Sequence, residues 1–181
     1  MSIEGEEMKK ITILAGSASD LQQTRDGLAF LKEAYGSEFE QQVTLHVLSC
    51  HRNLWELFHL SFKLDADVII AGAGWAAALP GIANAIVNGL LSKGIPVIGV
   101  GFDAAADLPA RQDKDEAARL SITELPGNPV HYAGMGSDGF LAAAKMAVES
   151  DLPTPKTGSS KDPMHDVDLN KLLETGAVVA K

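Results

Sequence analysis

Five alternations of an apolar, strand-like run with a helix-like stretch predict an α/β fold, a three-layer αβα sandwich around a central parallel sheet. Two further observations agree. The stretch 68–102 carries a single charged residue, Lys93, as parallel strands covered on both faces require. Three small, glycine- or serine-bearing loops follow the first three apolar runs, where strand carboxyl ends meet helix amino ends.

In order, Ile11–Ala15 reads as the first strand and Gly16–Asp20 as a polar turn. A helix follows with Leu21, Thr24, Leu28, Leu31 and Tyr35 on one stripe, and Gly36 as its terminator. Val43–Leu48 alternates Val43, Leu45 and Val47 against Thr44, His46 and Leu48, the period of a strand. Leu54, Leu57, Phe58 and Phe62 then recur at helical spacing up to about Leu64. Asn53 with Glu56 three residues on predicts a capping box. Val68–Ala71 is the third strand, Gly72–Gly81 its loop, and Ile82, Ile86 and Leu90 mark the next helix. Pro96–Val100 is the fourth strand. Asp103–Glu116 is acidic and reads as an exposed loop, before a short helix in 117–125 ended by Pro126-Gly127. Val130–Ala133 is a weak fifth strand, and Phe140–Glu149 the last helix, with Leu141, Lys145 and Val148 among its positions. The whole pattern is flavodoxin-like or Rossmann-like. Residues 1–150 form the α/β domain. Residues 151–181 begin as a linker, and Asp166–Thr175 is expected as a short helix docking on a neighbouring subunit.

A chain of 181 residues that is 46% hydrophobic buries a real core. Its net charge of −9 argues against a nucleic-acid groove or an anionic membrane surface. Small phosphorylated ligands remain open, because helix amino ends bind phosphate locally. The glycines and prolines of 68–102 break its apolar run, which excludes a transmembrane helix. One cysteine, Cys50, allows no internal disulfide and fits a reducing, cytoplasmic setting; the first ten residues lack the apolar run of a signal peptide.

The three loops carry the candidate chemistry. Ser17, Ser19 and Asp20 suit a phosphate and ribose hydroxyls at a helix amino end, although spacing alone favours simple helix capping. His51 has the residue type for acid/base work near neutral pH, and Arg52 the planar fork that clamps phosphate; a solvated surface pair has equal weight from spacing. Neighbouring residues in extended chain point apart, so Cys50 is read as a small buried side chain that shares no hydrogen bond with His51. In the third loop Ala73 and Gly74 leave room for a ligand against the backbone. Trp75 is open between a ring wall, an interface residue and packing, with packing the default. His46, His59, His131 and His165 have no metal-ligand spacing.

Taken together, Gly16-Ser17-x-Ser19-Asp20, Ser49-x-His51-Arg52, Ala71-Gly72-Ala73-Gly74 with Leu79-Pro80-Gly81, Pro96–Val100, and Leu120-Ser121-Ile122 with Pro126-Gly127-x-Pro129-Val130 occur in one order. This resembles the PurE family of purine biosynthesis over roughly residues 11–148. The resemblance implies carboxylation of carbon 4 of 5-aminoimidazole ribonucleotide, a phosphoribosyl aminoimidazole. The expected route is rearrangement of N5-carboxyaminoimidazole ribonucleotide. The alternatives are direct use of CO2, or ribonucleotide binding with altered or no turnover. It implies no metal or organic cofactor, and a homo-oligomer, commonly an octamer, with a tetramer as the alternative. By motif, Ser17, Ser19 and Arg52 would hold the phosphate and Asp20 the ribose. Ser49, Ala73 and Gly74 would line the imidazole and carboxylate pocket, and His51 would shuttle the proton. Two residues depart from the bacterial mutase pattern: Ala78 replaces a histidine before Leu-Pro-Gly, and Trp75 replaces a glycine.

Overall fold

The structure, a computed structural model, describes residues 8–153 together with Lys171 and Thr175. The expected helix Asp166–Thr175 and its docking on a neighbouring subunit lie outside the described residues, apart from those two positions. Strands β1 (Ile11–Ala15), β2 (Val43–Val47), β3 (Val68–Gly74), β4 (Val97–Phe102) and β5 (His131–Met135) form one parallel sheet in the order β2-β1-β3-β4-β5. This is the flavodoxin-like order, and its reversal point lies between β1 and β3.

Each face of the sheet carries its own apolar layer. Helices α1 (Arg25–Tyr35) and α6 (Gly136–Glu149) cover one face, where Leu31, Tyr35, Phe140, Ala143, Ala144 and Ala147 meet Ile13, Ile70, Ile98 and Val100. Close approach of these two helices needs Gly27, since a Cβ there would stand 2.4 Å from Cδ1 of Phe140. The short helix α2 (Phe39–Gln42) leads into β2. Helices α3 (Leu54–Lys63), α4 (Leu79–Asn84) and α5 (Arg111–Thr123) cover the other face, with Leu57, Leu79, Val87 and Ile122 against Leu14, Ile69, Ala71 and Val97. All residues of β1 and β4 are buried, the reason those runs read as continuously apolar.

The fold departs from the sequence reading in several places. A 3₁₀ segment, Ala18–Thr24, precedes α1, so the first helix starts inside the expected turn. β3 runs on through Gly74, three residues into the expected loop. Of the three residues that mark this helix, Ile86 is buried but Ile82 and Leu90 are exposed; Leu79, Ala83 and Val87 fill the rest of its buried side. α4 continues as a π-helical segment, Ala85–Leu90, whose wider turn rotates the side chains after Asn84, Leu90 among them. Buried Asn88 closes that segment: its Nδ2 donates to Asn84 Oδ1 and Ile95 O, both at 2.8 Å, and its Oδ1 accepts the Ile95 N–H at 2.9 Å. In α3 only Leu57 of the apolar stripe is fully buried, and Leu54, Trp55 and Phe62 face outward.

The acidic stretch is half helix. Residues 103–110 are loop and turn, and α5 begins at Arg111. Its charges pair along the helix surface, Arg111 with Asp115 at 3.4 Å and Arg119 with Glu116 at 2.7 Å. Ala118 and Ile122 supply the buried side, so a polar composition hid a helix. Among the described residues no helix is long and apolar enough to cross a membrane.

Candidate active site

The parallel register brings three loops to one edge. Ala15 stands opposite Val47 of β2 and Gly72 of β3, so all three chains leave the sheet at the same level. The Gly16 N–H donates to Gly72 O at 2.9 Å and the Leu48 N–H to Ala15 O at 2.8 Å, which carries the pairing one residue beyond the strands. A Cβ at Gly16 would stand 3.0 Å from Cβ of Ala73, so glycine at position 16 lets the first loop lie tight against the third.

Between these loops is a cavity of about 470 Å³. Its lining holds Ser17, Ser19, Asp20, Ser49, His51, Arg52, Ala73 and Gly74, all eight residues singled out from the sequence, together with Gly16, Cys50, Trp75, Ala76, Ala78 and Leu79. The volume is in the range of small-molecule sites.

Within the first loop, Ser17 has extended backbone and its Oγ accepts the Ser19 N–H at 3.4 Å and the Ser19 hydroxyl at 2.9 Å. Ser17 is therefore both the helix cap and a lining residue, whereas Ser19 lines the cavity but only donates to the cap. Ser19 Oγ also lies 3.4 Å from Asp20 Oδ1. Burial pushes the Asp20 carboxyl above its usual value; hydrogen bonds from Ser19 and Ser17 and the charge of Arg52 act against that.

In the second loop the chain turns at Cys50 rather than staying extended. Buried Ser49 accepts the Arg52 N–H on its Oγ at 3.4 Å, and its carbonyl accepts the Asn53 N–H at 2.8 Å. Asn53 does not form the expected capping box: its Oδ1 accepts the Ser49 N–H at 3.2 Å and so tightens the loop instead. The reading that Cys50 and His51 point apart is also corrected. The turn folds the Cys50 thiol to 3.8 Å from His51 Nδ1. Cys50 is buried as expected, and burial raises its pKa, keeping the thiol protonated. His51 and Arg52 are exposed at the cavity, and Arg52 Nη2 reaches back to Gly16 O at 3.5 Å.

In the third loop, Trp75 is 56% exposed, so the packing default for this ring is overturned. It holds a left-handed backbone, φ 58°, unusual for a bulky residue. Lys114 Nζ lies 5.0 Å from its ring centre, a contact that brings α5 to the site and that no motif signalled.

Residues 10–152 match the family model described as AIR carboxylase. The chain belongs to that family. It is similar to proteins named N5-carboxyaminoimidazole ribonucleotide mutase from several organisms. One from Pyrococcus abyssi is 35% identical over 78% of this chain and 73% of its own length. One from Methanocaldococcus jannaschii is 38% identical over 77% and 76%. One from Mycobacterium tuberculosis is 29% identical over 97% and 95%. Among solved structures, Treponema denticola PurE matches with a TM-score of 0.53 at 19% identity, covering 75% of this chain and 78% of that one, which is a likeness of fold. The residues matched to the AIR carboxylase family contain all five strands of the sheet and every loop of the cavity.

Proposed function

We propose that this chain is an N5-carboxyaminoimidazole ribonucleotide mutase of purine biosynthesis, with His51 as general acid/base. The observation that carries the reading is the convergence of eight motif residues from three loops on one cavity, with an exposed imidazole and guanidinium side by side. Ser17, Ser19 and Arg52 bind the phosphate, and Asp20 the ribose hydroxyls. Ser49, Ala73 and Gly74 line the pocket for the imidazole and the migrating carboxylate.

The reaction needs one proton donor that later becomes the acceptor. His51 gives its proton to the carbamate nitrogen as the N–C bond breaks; the bonding pair stays on nitrogen and CO2 is freed. Carbon 4 of the aminoimidazole attacks that CO2, forming the new C–C bond. His51, now neutral, removes the carbon-4 proton and restores the aromatic ring. No proton is gained or lost over the cycle. A small-residue pocket keeps the CO2 beside carbon 4 and away from water.

The assay offers N5-carboxyaminoimidazole ribonucleotide, and separately 5-aminoimidazole ribonucleotide with bicarbonate, to wild type and to His51→Asn. Faster conversion of the carbamate, reduced about 10²- to 10⁴-fold in the variant, supports the reading. An unchanged rate in the variant removes His51 from the mechanism. A second reading is favoured by Trp75 and Ala78, which both line the cavity where the family pattern has other residues: a ribonucleotide-binding protein without turnover. Calorimetric binding with no conversion of either substrate selects it. The outward Leu54, Trp55, Phe62 and Leu90 support a homo-oligomer, with an octamer as the expected form. Its working compartment on this reading is the cytoplasm, and residues 1–150 are the catalytic domain.

A further inference from the structure

Trp75 and Ala110 are two of only four described non-glycine residues with positive φ, at 58° and 53°. They are 35 positions apart, yet one side chain joins them. Lys114 Nζ sits 5.0 Å from the Trp75 ring centre and also donates to Pro109 O at 2.5 Å, while its N–H donates to Ala110 O at 3.2 Å. Two disfavoured backbone conformations thus meet at a single contact on the rim of the cavity. A strained rim residue that packing does not require is a mark of function. Packing does not require this one, because most of the ring surface is exposed.

We propose that Trp75 is a substrate-contacting residue that stacks on the planar base of the ribonucleotide, and that Lys114 is a positioning residue that holds the ring at the cavity. The inference rests on the reading of the cavity as a ribonucleotide site. Trp75 lines the same cavity as Ser17, Asp20 and Arg52, which that reading assigns to the phosphate and ribose. A sugar phosphate anchored on the first two loops presents its base to the third. There the glycine and alanines supply space and Trp75 supplies the one large aromatic face, the other ring in the lining being the His51 imidazole. A neutral five-membered aromatic ring gains from such a face whatever its hydrogen-bonding edges. The Lys114 contact fixes the ring before the ligand arrives, so less side-chain freedom is lost on binding.

The test compares 5-aminoimidazole ribonucleotide with ribose 5-phosphate, which lacks the base, by calorimetry on full-length wild type, Trp75→Gly, Trp75→Leu and Lys114→Met. Glycine adopts φ 58° freely, so Trp75→Gly is expected to fold, and melting curves check it. Expected are an affinity for 5-aminoimidazole ribonucleotide about tenfold weaker in Trp75→Gly, a partial loss in Trp75→Leu, and unchanged ribose 5-phosphate binding in both. In a Trp55→Phe background the ligand with a base quenches Trp75 emission and ribose 5-phosphate does not. Lys114→Met weakens binding less, about threefold, and raises the rotational freedom of Trp75 by fluorescence anisotropy. Equal affinities across wild type and Trp75→Gly overturn the proposal. So does a change in subunit number in Trp75→Gly, which assigns the ring to an interface. If wild type binds ribose 5-phosphate but gains nothing from the aminoimidazole, the stacking proposal also fails. If it gains from another base through Trp75, the stacking stands and the mutase reading falls.

Discussion

Sγ of Cys50 lies 3.8 Å from Nδ1 of His51, the chain turning back on itself between adjacent residues. Burial keeps this thiol protonated, and a thiol both donates and accepts weakly, so Sγ can partner Nδ1 whether or not that nitrogen carries a proton. With Nδ1 engaged by the thiol, Nε2 is the ring nitrogen left to exchange a proton with a ligand. Replacing the thiol by Ala is expected to lower kcat about three- to tenfold with KM unchanged, and Cys50→Ser to recover most of it. The pH profile of kcat distinguishes this from a packing effect, since loss of the Nδ1 contact moves its limbs and loss of packing does not.

The same burial makes a separate prediction about reactivity. At about pH 8 Cys50 should react with iodoacetamide more slowly than a free cysteine, because the nucleophile is the thiolate and its pKa is raised. The rate should climb only at higher pH. Ribose 5-phosphate, filling the cavity that Cys50 lines, should slow labelling further, as mass spectrometry of the modified peptide will report.

Asp20 sets activity against stability. Its carboxyl has a folded pKa above the unfolded value, chiefly through burial. In the window between the two values the folded chain binds more protons than the unfolded one, so stability falls as pH rises through it. The cost is absent below the unfolded value, near 3.8, and complete above the folded one. Asp20→Asn should therefore melt higher than wild type at about pH 7, with the gain shrinking towards about pH 4, while ribonucleotide binding is lost. Equal differences in melting temperature at both pH values would contradict the assignment.

Arg52→Lys keeps the charge and removes the fork. Lysine meets an anion as a point charge and lacks the second donor that spans two phosphate oxygens. KM for the ribonucleotide is expected to rise about tenfold with kcat within about twofold of wild type. A parallel fall in kcat would move Arg52 from the phosphate to the reacting carboxylate.

Gly27 offers a control far from the cavity. Ala at this position would press its methyl into the Phe140 ring, 2.4 Å from Cδ1, and α1 and α6 would have to separate. Urea unfolding should show a loss of about 1–3 kcal/mol, with KM unaltered.

The sheet was legible because β1, β3 and β4 are buried on both faces and leave uninterrupted apolar runs. The site was legible because its residues sit in three short loops whose strand ends share one level. What escaped the sequence depends on contacts between distant segments. Asn53 satisfies the Ser49 amide rather than its own helix, since the turn at Cys50 exposes that amide first. The acidic composition of α5 concealed a helix whose burial rests on Ala118 and Ile122 alone. The outward Leu90 lies at the end of a change of helical pitch that no residue spacing announces. Lys114 belongs to the cavity only through a ring 39 positions earlier.

β2 pairs with β1 alone, through five residues, and it carries His51 and Arg52 at its end. The strand that delivers the two ionisable side chains is thus an edge strand, more readily peeled from the sheet than the inner strands, which are clamped on two sides. Its amides at Thr44 and His46, which face β1 as the Leu48 amide does, should exchange with solvent faster than those of β3. A bound phosphate bridging Arg52 to Ser17 would restrain that fraying, so occupancy of the pocket would register as slowed exchange along β2, and the ligand would complete the sheet's outer seam.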